Sequence, residues 1–458
     1  METKKRSEEK FTQSLTFKAI MIAILVLLLL IPNAMIQGLI SERQERSEQT
    51  IEKINEKWSL SQTICGPILT IPFTTTYLDS EKNPYTKEHE LHLTPKDLNI
   101  NTRLFPEERY YGIYKTILYK SENLISGHFA PLNQLKVENN VSFHFDKAYL
   151  TLELSDLRGV TNQLDFQLNG KSYPAEVGNT KRIIGVNLVG NLNGAIDPVS
   201  ENDYSFECQL NLNGSGDINF IPMGSVSKVE MEGDWTSPGF IGSYPPEYKL
   251  TDKGFKATWN ILSFNRSIPE HWVDDNIEQL QNSSFGVNLV NPVDHYQQNM
   301  RSAKYSLMFI ALTFVTFFFV EVLTKKRIHP IQYLLVGIAL ILFYTLLLSI
   351  SEQINFAIAY LIASIATIVL ITSYAYSIFK NKTQTGVLAL MLCILYVFLY
   401  VILQLEDVAL LIGSIGLFII LGIIMFFSRK IKWYKPEEEA AAAVADNENK
   451  DLIIEVAP

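Results

Sequence analysis

The sequence predicts a polytopic α-helical membrane protein with a large all-β, sandwich-like domain inserted between its first two spans. Three observations carry this. Residues 303–428 hold four acidic and six basic residues among long apolar runs. Residues 41–302 hold 34 acidic and 23 basic residues, the composition of a water-facing domain. Beyond residue 58 the hydrophobic period changes from about 3.6 to 2. The averages over 458 residues, 47% hydrophobic with net charge −9, conceal this division. It argues against a soluble enzyme and against a nucleic-acid binder.

A helix rises about 1.5 Å per residue, so a span needs roughly 20 apolar residues. Six stretches qualify: 18–40, 303–323, 331–350, 354–378, 386–404 and 408–428. The first contains AIMIAILVLLLLI followed by Pro32 and Asn33, with no small-x-small cleavage site, and reads as an uncleaved anchor kinked at Pro32. Lys4, Lys5, Arg6, Lys10 and Lys18 precede it. With Lys325, Lys326, Arg327, Lys380, Lys382, Arg429, Lys430, Lys432 and Lys435 they place fourteen bases on one side, whereas the short loops opposite carry Glu352, Glu406 and Asp407. The positive-inside rule then puts segments 1–17 and 429–458 in the cytoplasm and residues 41–302 outside it. Trp433 and Tyr434 read as an interfacial anchor, and the acidic stretch 436–458 as a disordered tail.

Within 41–302, Ile51, Ile54 and Trp58 recur at helical spacing and predict a leading helix over 41–58. Alternation follows in VSFHF (141–145), YLTLEL (149–154), LDFQL (164–168) and SFECQLNLNG (205–214), the mark of half-buried strands. Asn169-Gly170 between two such runs predicts a tight hairpin turn. One solvated face per sheet suits antiparallel pairing. Residues 269–282 predict one short helix, with Val273, Ile277 and Leu280 on a face.

Catalytic and metal signals are weak. His89 and His92 in HELH fall on opposite faces of a strand, which does not build a metal site. Gly170-Lys171-Ser172 lacks the glycine of a phosphate loop, having Asp165 there, and reads as a turn. Ser225–Lys228 matches S-x-x-K in a strand context, without its companion motifs. No cofactor, metal site or catalytic residue is predicted. Cys65 and Cys208 lie in the oxidising compartment, where a disulfide or two buried thiols both fit. Among ionisable residues near the spans, Glu321 reads as interfacial and solvated. Glu352, Glu406 and Asp407 read the same way and as partial orientation signals; the alternative is a polar cluster on the non-cytoplasmic surface. Arg43, Arg46, Arg301 and Lys304 are its candidate partners, tying the β domain to the bundle. Arg327, His329 and Pro330 predict a tight cytoplasmic turn, because proline disfavours helix at the preceding residue. Tyr344, Tyr360, Tyr374, Tyr396 and Tyr400 read as packing residues, and Ala359, Ala363 and Thr367 as a small face for a neighbouring helix.

Several strings resemble one family: SQTICGPILTIPF (61–73), WTSPGFIGSYPP (235–246), GFKATWNI (254–261), RIHPIQYLLVG (327–337) and LQLEDVALLIGS (403–414). They are similar to the CreD family of inner-membrane proteins, also called cell envelope integrity proteins. The resemblance covers nearly the whole chain and weakens over 120–200 and in the acidic tail. It implies a Gram-negative inner membrane, a periplasmic β domain and a link to envelope stress and cell-wall-active agents. It carries over no catalytic residue. The leading expectation is a non-enzymatic envelope-integrity protein whose β domain binds a protein, lipid or cell-wall partner, while the spans sit in the lipid bilayer. The alternative is a transporter or lipid-handling protein moving an amphiphile, which a polar cavity lined by Glu352, Asn355, Gln404 and Glu406 would favour. A cell-wall enzyme is the third reading.

Overall fold

The computed structural model describes residues 15–78, 81, 83–134, 140–178, 184–274, 280–289, 295–324, 328–405 and 408–429. The N-terminal bases up to Lys10, Lys325 and Lys326, Arg327, Glu406, Asp407, the Trp433–Tyr434 anchor and the acidic tail lie outside the described residues. The chain divides into two compact units, one of residues 1–46 with 294–458 and one of Ser47–Val293.

The first unit is helical. Helix α1 runs without interruption over Leu15–Trp58, merging the predicted anchor and leading helix, with Pro32 inside it. Helices α2 (His295–Lys304) and α3 (Ser306–Thr324) meet at a 44° bend. Then come α4 (Pro330–Ser351), α5 (Phe356–Phe379), α6 (Lys382–Gln404) and α7 (Ala409–Ser428). Four of these helices are long and apolar enough to cross a membrane, and the bent pair makes a fifth. The last helix contributes a shorter apolar stretch, Leu411–Phe426. Local chemistry sets the boundaries. Asn355 and Asn381 accept N–H bonds from the first turns of α5 and α6, and Lys380 closes α5 in the left-handed region. Ala359 and Ala363 are fully buried with Thr367 close behind, so the small face does pack. Tyr344, Tyr360 and Tyr396 are buried, and the Tyr360 hydroxyl donates to the Tyr396 carbonyl at 2.7 Å.

The second unit is built on two sheets. The ten-stranded sheet runs Gly239–Gly242, Phe285–Asn288, Asp217–Ile221, Gln62–Leu78, Tyr149–Leu154, Val186–Asn191, Glu176–Val177. Pro84–Leu93, Val141–Phe143 and His271–Val273 join it off that path. The eight-stranded sheet runs Glu247–Leu250, Phe255–Leu262, Val226–Gly233, Asp97–Tyr111, Tyr114–Phe129, Tyr204–Ser215, Asp165–Leu168, Lys171–Pro174. Alternating residues from both, among them Leu69, Leu152, Phe220, Ile125, Leu210 and Trp259, form one hydrophobic core. Asn169 and Gly170 both take positive φ, the pairing that a two-residue hairpin demands, and join two strands as predicted.

Two expectations are corrected, and the cysteines follow one of the two readings left open. The sheets are mixed, because Gln62–Leu78 pairs parallel with Asp217–Ile221, and Asp97–Tyr111 with Val226–Gly233. Residues 271–273 form a strand against Leu91–Leu93 rather than the start of a helix, since backbone pairing there outweighs the helical spacing, while 275–279 lie outside the described residues. Cys65 and Cys208 are free and buried. They lie on different strands, Cys65 in register with Glu153 and Cys208 with Ile125.

Candidate functional site: a polar groove and its supporting collar

The outer face of the eight-stranded sheet collects polar side chains into rows fixed by strand register. One row reads Thr258, Glu230, Asn101, Leu124, Gln209, and the next Lys256, Glu232, Arg103, Glu122, Asn211. Period-2 alternation puts all of these on the face opposite the core. A groove of about 410 Å³ follows the rows, lined by Asn101, Arg103, Glu122, Gln209, Glu230 and Lys256 among others. Arg103 Nε donates to Glu232 at 2.9 Å, and Glu230 meets Lys228 at 2.6 Å and Lys256 at 3.6 Å. The Lys228 ammonium, aided by Lys256, holds the Glu230 carboxyl below its ordinary value. The pairs are exposed, so they set a pattern of charge rather than stability. Beneath the groove, Thr102 donates to Asn123 Oδ1 at 2.9 Å, while Asn123 Nδ2 donates to Ser121 and to the Leu210 carbonyl. This buried network fixes the two central strands that carry Arg103 and Glu122. The groove offers amides and charges of both signs and no activated nucleophile. The two thiols of the domain are poor ones: burial pushes Cys208 up to about 12, and burial with the Glu153 carboxylate pushes Cys65 up as well.

A second polar assembly sits where α1 ends. Gln62 is fully buried, and its Nε2 donates to Ser59 Oγ at 2.6 Å, the Asp156 carbonyl at 3.0 Å and the Asn213 carbonyl at 3.4 Å. Asp156 accepts from Leu60 N at 3.2 Å and from the Arg158 guanidinium at 2.9 Å. Arg158 Nη1 also donates to the Glu56 carbonyl at 2.7 Å, satisfying an orphan acceptor of the last helical turn. Burial alone would raise the Asp156 carboxyl, but the hydrogen bonds from Arg158 and Leu60 outweigh it and hold it below its ordinary value. Gly159 has no room for a side chain, since a Cβ would stand 2.3 Å from the Asn213 carbonyl. This collar clamps the helix end to both sheets. No sequence signal marked it, because a polar Gln62 at a strand start looks like a surface residue.

The bundle holds two polar clusters. Glu321, expected to be solvated, is 3% exposed. Its carboxylate accepts from Lys18 Nζ, from Ile328 N at 3.1 Å and from the Tyr333 hydroxyl at 2.9 Å, joining α1, α3 and α4. Lys18 lies 303 residues away, so only tertiary structure reveals the pair. At the other end Glu352 follows α4 and accepts from Tyr296 at 3.2 Å, beside an Asn299–Ser351 bond of 2.8 Å. Arg43 and Arg301 are half-buried, and Arg46 and Lys304 exposed. His329 is extended and caps α4, its ring accepting from Ile331 N at 3.3 Å, with Pro330 in the first turn. The bundle cavity, about 510 Å³ between α3, α6 and α7, is apolar, lined by residues such as Leu312, Phe319, Met391 and Ile420. Glu352, Asn355 and Gln404 do not line it. His89 and His92 point to opposite faces, toward Asp274 and Thr70. Among the described residues no cluster of three or more His, Cys, Asp or Glu could hold a metal ion.

Four to five helices able to cross a membrane, together with a large mixed two-sheet domain, define a multi-pass membrane protein. Residues 14–434 match the family described as "Inner membrane protein CreD". The chain belongs to the CreD family. It is 31% identical to the Inner membrane protein CreD of Escherichia coli (strain K12) over 419 residues, 89% of this chain and 91% of the relative.

Proposed function

We propose that this protein supports envelope integrity without catalysing a reaction, its groove holding a polar cell-wall polymer. In this reading the chain crosses the inner membrane six times with both termini in the cytoplasm. The two sheets act as a β-sandwich-like binding module in the periplasm. The observation that carries the reading is the groove's chemistry. Asn101, Gln209, Arg103, Lys256 and Glu230 present donors, acceptors and both charges along one face. Glycan hydroxyl and acetamido groups and stem-peptide carboxylates and amines are the complementary groups. Membership in an inner-membrane family and the charge asymmetry of the loops support the placement.

The test is complementation of a deletion strain challenged with a cell-wall-active agent. An Arg103→Glu, Lys256→Glu double variant changes two exposed residues and should accumulate normally while losing protection. Full protection by this variant would remove the groove from the account.

A further inference from the structure

The hairpin of Asp97–Tyr111 and Tyr114–Phe129 is registered from Asp97–His128 out to Tyr111–Tyr114. Its flanking strands stop early, Val226–Gly233 at Leu104 and Tyr204–Ser215 at Leu118. Thr116 and Ile117 stay buried against the domain, so the rungs that project are Tyr110–Lys115 and Tyr111–Tyr114, roughly 7 Å beyond Thr116 at about 3.3 Å per residue. The tip is Arg109-Tyr110-Tyr111-Gly112-Ile113-Tyr114-Lys115. Tyr110 and Tyr111 are 66% and 64% exposed and Ile113 is exposed as well. Its charges cancel locally, Arg109 on Glu107 at 2.9 Å and Lys115 on Glu108 at 2.6 Å. What remains is a neutral, tyrosine-rich, apolar point at the end of the hairpin.

The contacts fix its direction within the domain. Ser215, in register with Leu118, bonds to Ser59 and Leu60. Thr116, nearer the tip, donates to Asn55 Oδ1 at 2.9 Å. Moving toward the tip is thus moving back along α1 toward Ser47, so tip and helix leave the domain from the same edge. Six residues, 41–46, separate Ser47 from Ile40, the last of the apolar run. Whatever path they take, Ser47 stays within about 25 Å of the apolar layer.

We propose that this tip is a membrane-interface contact, with Tyr110, Tyr111 and Tyr114 seated among the lipid headgroups of the bilayer that α1 enters. Tyrosine suits that layer because its ring is apolar and its hydroxyl is wet. Pairing of Arg109 and Lys115 makes the contact independent of anionic lipid. It rests on membrane insertion alone, so it stands or falls separately from the groove.

The experiment uses the full chain in lipid nanodiscs, with Cys393→Ala removing the exposed thiol. A fluorophore is attached at Tyr111→Cys, or at Asn202→Cys beyond the opposite end of the same hairpin. Headgroup-nitroxide lipid should quench the label at position 111 several-fold more than that at 202, in zwitterionic and anionic discs alike. Equal quenching at the two positions overturns the proposal. So does quenching at 111 that appears only in anionic discs, which would mean electrostatic attraction rather than aromatic seating.

Discussion

Replacing Gln62 with leucine tests whether the collar holds the helix end to the sheets. The change keeps the volume close but removes three donated bonds, to Ser59 Oγ and the Asp156 and Asn213 carbonyls. A buried hydrogen bond contributes about 1 kcal/mol net, and a buried acceptor stripped of its donor costs about 1–3 kcal/mol. Because Gln62 is fully buried, little water can compensate, and the expected loss is roughly 3 kcal/mol. For a domain of this size that is a fall in melting temperature of about 6–12 °C. The assay is thermal unfolding of the purified full chain, followed by the fluorescence of Trp58, Trp235, Trp259 and Trp272, all in this unit. Gln209→Leu, on the open groove, is the reference and should fall within about 0.5 kcal/mol of wild type. A Gln62→Leu shift no larger than that of Gln209→Leu would refute the collar.

Three further outcomes follow. Asp156 is held below its ordinary carboxyl value, so its stabilisation is complete above about pH 4 and is lost as pH falls through its lower folded value. The melting-temperature gap between wild type and Asp156→Asn should therefore be constant near neutrality and shrink below about pH 4; a gap unchanged at pH 3 contradicts this. Asp217, which burial raises, contributes with the opposite sign, and the paired comparison cancels it. Glu321→Leu leaves Lys18 and Tyr333 without their acceptor and should cost about 3 kcal/mol, the low end for a broken buried pair, because Lys18 can snorkel. Adding Lys18→Met should recover most of the membrane-inserted protein, and no recovery would make the lysine incidental. A reporter fused after Asn213 should be active only in the periplasm and one after Lys382 only in the cytoplasm, whereas the reverse would overturn the orientation.

What was legible in the sequence had local causes. The Asn169-Gly170 turn follows from two residues that tolerate positive φ, and the strand runs follow from alternation. Strand direction was not legible, since alternation is identical for parallel and antiparallel neighbours. The pairing of Gln62–Leu78 with Asp217–Ile221 joins segments about 150 residues apart. Residues 269–282 misled because helical spacing of three apolar side chains says nothing of a strand waiting at Leu91–Leu93. Glu321 misled for the same reason, its counter-charge being at the far end of the chain. The groove was half visible: alternation put Glu207, Gln209 and Asn211 on a wet face, but only register set Gln209 in the row of Asn101 and Glu230.

The central claim is that the sheet groove holds a cell-wall polymer, and co-sedimentation of the purified full-length protein with isolated sacculi tests it most directly. Wild type should pellet with sacculi, with retention falling as salt screens Arg103, Lys256 and Glu230. The Arg103→Glu, Lys256→Glu variant should stay in the supernatant while melting at the wild-type temperature. Equal pelleting of the two proteins, or no pelleting of wild type at low salt, would contradict the account.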